Sequence, residues 1–91
     1  MRKLDDQAVL AEVARRDADE FVRSAAAWML VDQDLLALIA TTDRDWGVRW
    51  KATQKLTDQQ VLAKIARTDE DGSVRAAAAE RLTDQALLAV I

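Results

Sequence analysis

The chain repeats itself. Read in blocks of 26 from Leu4, it aligns on itself without a gap. The blocks are LDDQAVLAEVARRDADEFVRSAAAWM over 4–29, LVDQDLLALIATTDRDWGVRWKATQK over 30–55 and LTDQQVLAKIARTDEDGSVRAAAAER over 56–81, followed by a half block, LTDQALLAVI, over 82–91. The shared pattern is L-x-D-Q-x-[VL]-L-A-x-[VI]-A-x-x-D-x-D-x-x-V-R-x-x-A. No other feature constrains the fold as much. Units equal in sequence form equal units in space, and each can bury its apolar side only against its neighbours. The predicted organisation is therefore one domain over 1–91, made of three and a half units.

Each unit reads as two helices. There is no proline, and Gly47 and Gly72 are the two glycines. Ala, Leu, Gln, Arg and Glu dominate, all good helix formers. The first helix of each unit is expected to start at Asp6, Asp32, Asp58 or Asp84, whose carboxylate can cap free backbone N–H groups. The second is expected to start at Asp19, Asp45 or Asp71. Apolar residues fall at helical spacing: Leu10, Val13 and Ala14 in the first block, and Leu62, Ile65 and Ala66 in the third. On the second helices the predicted buried stripe is Val22, Ala26 and Leu30, then Val48, Ala52 and Leu56, then Val74, Ala78 and Leu82. Helices of about 12 residues are marginal alone, so stacking must stabilise them. The expected fold is all-α: an α-solenoid of helix-turn-helix repeats with seven short helices, four first and three second.

Composition narrows function by exclusion. The formal net charge is −3 with both signs interspersed, unlike the basic stripe of a nucleic-acid binder. With no Cys and no His, the common nucleophile–base pairs and most zinc sites are ruled out. No apolar run approaches the roughly 20 residues of a membrane span, and the N-terminus lacks a stretch of signal-peptide length. The D-x-D pairs resemble neither a calcium loop, which needs a run of ligands and a distal Glu, nor a catalytic dyad, because they recur in every block where a helix cap is needed. The expectation is a non-enzymatic cytoplasmic protein with no metal, no cofactor, no nucleic acid and no membrane partner.

The segment D-x-D-x-x-V-R-x-x-A, at 17–26, 43–52 and 69–78, resembles the HEAT-like repeat superfamily, in particular its short bacterial members, including those related to phycobilisome lyases. The resemblance covers essentially the whole chain. The unit is shorter than the roughly 40–47 residues of ordinary HEAT repeats, so tight turns are expected. Leucine-rich repeats share the period, but their L-x-L-x-x-N strand motif is missing. The resemblance implies an Asp–Arg ladder between neighbouring units, with Asp17 and Arg23, Asp43 and Arg49, and Asp69 and Arg75 as the matching pairs. Arginine chemistry supports it independently, since its rigid fork suits a carboxylate plus loop carbonyls. Alkylation-repair DNA glycosylases in the superfamily use Trp and Asp on a concave face, as Trp46 and Trp50 near Asp45 would suggest. The chain is too short and too acidic to wrap a duplex, and no residue supports chromophore-lyase chemistry.

Repeat arrays keep their core and vary their binding face. The blocks differ at Glu20, Trp46 and Gly72, at Ser24, Trp50 and Ala76, and at Trp28, Gln54 and Glu80. Residues four apart share a helix face, and Trp46 and Trp50 lie nearly opposite Val48 and Ala52. They are predicted to point to solvent, on the inner wall that second helices line in HEAT-like solenoids, with Arg44, Lys51 and Gln54 as a polar rim. Trp28 and Phe21, seven apart on one flank, either join this surface or fill gaps between units. Leu38 stands outward where the other blocks have Glu12 and Lys64. The expected function is protein–protein interaction through Trp46, Trp50 and Trp28, with a protein partner or a second copy as a homo-oligomer. The alternative is a structural or designed self-assembling scaffold with no specific ligand. The half block also predicts open ends, with Leu87, Leu88 or Ile91 partly covered and either end-to-end contact or fraying over 85–91.

Overall fold

A computed structural model describes the backbone of residues 3–90 and the side chains of residues 6–82. Six helices make up the fold: α1 (Lys3–Arg16), α2 (Glu20–Met29), α3 (Gln33–Thr42), α4 (Trp46–Thr53), α5 (Gln59–Thr68) and α6 (Gly72–Val90). No strand occurs among the described residues. No helix among them is long and apolar enough to cross a membrane.

The D-x-D pairs set the helix boundaries. The first Asp closes a helix: Asp43 and Asp69 are C-caps whose N–H groups bond the Ile39 and Ile65 carbonyls. Its carboxylate accepts the N–H of the second Asp at 2.8–2.9 Å in all three blocks. The second Asp opens the next helix. Asp19 accepts from Phe21 and Val22, Asp45 from Gly47 and Val48, and Asp71 from Ser73 and Val74. A two-residue offset thus satisfies the backbone on both sides of a turn that has no room for more residues. Asp32 and Asp58 cap α3 and α5 in the same way.

Consecutive helices pack as hairpins, α1 on α2, α3 on α4 and α5 on α6. The second helices then line up as α2, α4 and α6, while α1, α3 and α5 touch each other far less. The row of second helices therefore holds the repeat-like stack together. Small residues let these helices approach: Ala26, Ala52 and Ala78 are all buried in one core with Leu30, Leu36, Val48, Leu56, Leu62 and Val74.

Several expectations are corrected. There are six helices rather than seven, because α6 runs unbroken from Gly72 to Val90 and Asp84 lies inside it. Asp6 likewise lies inside α1, which already starts at Lys3. Asp32 and Asp58 cap because a broken turn precedes them; without that break a carboxylate has no free helix end to serve. Val22 is 41% exposed, whereas its equivalents Val48 and Val74 are fully buried. Leu10 and Val13 are only half-buried where Leu36 and Ile39 are buried, since no earlier unit among the described residues covers them. The expectations placed on Leu87, Leu88 and Ile91 lie outside the described residues.

The turns between units are clamped by the Gln of L-x-D-Q. Gln7 donates to the Met29 carbonyl and accepts from Val31 N–H. One unit later, Gln33 donates to the Lys55 carbonyl at 3.0 Å and accepts from Thr57 N–H at 3.0 Å. Among the described residues Gln59 makes a local bond to the Thr57 carbonyl, and at the following junction the helix continues. Without a turn to clamp, the intrahelical hydrogen bonds of α6 are the remaining way to satisfy the backbone there. Replacing Gln33 with alanine removes both partners at once. A loss of about 1–2 kcal/mol in unfolding free energy is expected, against less than about 0.5 kcal/mol for Gln59→Ala. Urea titration of the two variants measures the difference, and equal effects would show that the clamp contributes nothing.

Candidate protein-binding surface

The second-helix row is fixed by two buried ion pairs. Arg23, 1% exposed, donates from Nε to Asp43 Oδ2 at 3.0 Å and from Nη2 to Asp43 Oδ1 at 3.2 Å. Its Nη1 bonds the Asp17 and Ala18 carbonyls. Arg49 repeats this with the Asp69 carboxylate and the Asp43 carbonyl. Arg75 donates to the Asp69 carbonyl at 2.7 Å. The contact within a block is thus to the aspartate's backbone, and the bidentate contact is to the aspartate one block on, 20 residues away. The hydrogen bond that Arg23 donates to Asp43 holds its guanidinium above its ordinary pKa, against the opposing effect of burial. For Arg49 burial is the largest influence and lowers the pKa. The Asp69 hydrogen bond and the nearby charges outweigh it, and the net direction is again upward.

Four aromatic side chains stand on or beside α2 and α4. Trp46 follows the Asp45 cap directly and is 49% exposed; Phe21 on α2 is 79% exposed and Trp28 47%. Trp50 is less exposed than its place opposite Val48 predicts. It is half-buried and packs against the core, because α4 touches α2, α3 and α6 and only a narrow stripe of it stays free. Phe21, Trp46 and Trp50 line one groove of about 340 Å³ between α2 and α4, together with Glu20, Ser24, Asp45, Gly47 and Lys51. Ser24 and Gly47 leave it open. A Cβ at Gly47 would approach Asp45 Oδ2 to 3.0 Å, so any larger residue presses on the cap that orients Trp46.

Lys51 lies 5.0 Å from the centroid of the Trp28 ring and 5.5 Å from that of Trp50, within cation–π range. Lys55 also approaches the Trp28 ring, at 5.5 Å, and donates to the Trp28 and Leu30 carbonyls. These lysines tie Trp28 to the end of α4. Of the residues read as a binding surface, the structure brings Trp46, Trp50 and Lys51 into the groove. Trp28 stands outside it, across Lys51. Arg44 is exposed in the α3–α4 turn and lines a separate cleft with Trp46, Glu70 and Asp71. Gln54 caps the far end of α4. Phe21 belongs to the groove, although its spacing of seven groups it with Trp28. The signal for it was its alignment with Gly47 and Ser73, a large residue where the other blocks have small ones. Among the described residues no cluster of carboxylates could hold a metal ion. No family model, curated protein or solved structure matches the chain.

Proposed function

We propose that this chain is a HEAT-like α-solenoid serving as a non-enzymatic protein-interaction module, and that the α2–α4 groove is where its partner docks. The observation that supports this best is the pair of uncovered aromatics, Phe21 and Trp46, beside one groove of about 340 Å³. That volume lies at the lower end of the range of ligand clefts, and large aromatic rings dominate interface energetics. Glu20 and Asp45 put carboxylates on the rim, while Lys51 is turned towards the indoles of Trp28 and Trp50. The partner this suits is a protein segment with an apolar anchor next to a basic residue.

The test selects displayed helical peptides on the immobilised chain and titrates the winners calorimetrically against wild type, Phe21→Ala and Trp46→Ala. Both residues are exposed, so both variants should stay folded by circular dichroism. Affinity is expected to fall at least about tenfold in each, and winners should carry Arg or Lys beside an aliphatic or aromatic residue. Peptides that bind wild type and Trp46→Ala equally well would remove the groove from the function.

A further inference from the structure

Comparing equivalent residues shows which way each face of a unit looks. Asp43 and Asp69 receive an Arg from the unit before them. Leu36, Ile39 and Val48 are buried where a unit precedes them, whereas Leu10, Val13 and Val22 are not. The leading face of the first unit is therefore Asp17 with Leu10, Val13 and Val22. Among the described residues the Asp17 carboxylate accepts only the Asp19 N–H. At the other end, Arg75 is exposed and donates only to the Asp69 carbonyl among the described residues. Its Nε and Nη2, the atoms that grip the next carboxylate in Arg23 and Arg49, have no acceptor there. Ala66 and Leu82 are only half-buried where Ala40 and Leu56 are buried. The trailing face is thus a guanidinium beside apolar side chains, and the leading face a carboxylate beside apolar side chains.

We propose that the occupant of each face is a second copy of this chain, stacked head to tail, with Arg75 of one copy on Asp17 of the next and Leu82 and Ala66 covering Val22 and its neighbours. The ladder geometry needed is already made twice inside the chain, so the contact extends the repeat rather than inventing a new interface. Because the two faces differ, it is heterologous and propagates into a row instead of closing as a dimer. The proposal rests on the solenoid reading but not on the aromatic groove, which lies on the α2–α4 surface.

Sedimentation velocity and light scattering over a dilution series test it. The wild-type mass should rise with concentration past that of two copies, and fall with added salt, which screens the attraction between the charges exposed on the two free faces. Asp17→Asn keeps an acceptor for the Asp19 N–H, and Arg75→Gln alters an exposed side chain; both should remain folded by circular dichroism. Each alone should weaken association at least about tenfold. An equimolar mixture should form a 1:1 complex that grows no further, since one junction is intact and the next is not. Trp46→Ala should associate like wild type. A wild type that stays monomeric up to about 1 mM overturns the proposal, as does association untouched by Asp17→Asn and Arg75→Gln. Association lost in Trp46→Ala and kept in Asp17→Asn would overturn it too, and would place the self-contact in the groove.

Discussion

Replacing Asp43 with alanine is expected to lower the unfolding free energy by about 3–5 kcal/mol. The substitution takes away both acceptor oxygens of the Nε and Nη2 bonds of Arg23. The guanidinium cannot be deprotonated to relieve the loss, and at 1% exposure it has no water to replace the carboxylate. The Asp17 and Ala18 carbonyls remain as acceptors, but they carry no charge. The same change also deprives the Asp45 N–H of its acceptor. A domain of this size is typically stable by about 5–14 kcal/mol, so urea denaturation at ambient temperature should find the variant close to unfolding. Asp17→Ala is the control, because Asp17 accepts only the Asp19 N–H among the described residues. Its cost should be near 1 kcal/mol. Equal losses for the two variants would mean that the ion pair adds nothing beyond the turn.

Leu36→Ala and Leu10→Ala form the second pair. Both residues occupy the same place in their units, yet Leu36 is fully buried and Leu10 half-buried. Truncating Leu36 removes its transfer free energy and leaves a cavity that α3 and its neighbours can only partly close, which costs about 2–5 kcal/mol. At Leu10 solvent already reaches the side chain and fills the space, so the transfer loss is partial and the cavity contribution small, about 1 kcal/mol. Thermal or chemical denaturation should therefore separate two chemically identical substitutions by at least about twofold. If they coincide, the units are equally covered and the unequal burial seen along the stack has no energetic meaning.

Much of this architecture is written in single residues. Asp32, Asp45 and Asp58 mark helix starts because a short carboxylate preceding an amphipathic run has few other uses. The period places Leu36, Val48 and Leu62 in the core. Reading fails where a residue's role depends on what surrounds it. Asp6 and Asp84 carry the same local signal as Asp32 but sit inside continuous helices. Arg23 shares a block with Asp17, and the repeat pattern pairs the two. The carboxylate it grips belongs to Asp43, and nothing in a single block encodes the step between units. Trp50 lies opposite Val48 on a helical wheel, yet a helix packed on three others has more than one buried stripe. Phe21 reaches the groove only because α2 and α4 lie side by side. The Gln of L-x-D-Q recurs in every block, but its role in clamping the turn between units becomes visible only once that turn exists.

The unit-to-unit geometry also governs how the chain finds its structure. The most distant partners joined by a side-chain hydrogen bond among the described residues are 27 positions apart, Lys55 and Trp28. The ion pairs span 20. Each of these side-chain bonds among the described residues therefore closes a loop of about one unit, and the entropic cost of closing it does not grow with the number of units. Contact order falls as such an array lengthens, and low contact order goes with fast folding. In an array of units joined only to their neighbours, any adjacent pair can serve as the nucleus, and order then spreads outward one neighbour at a time.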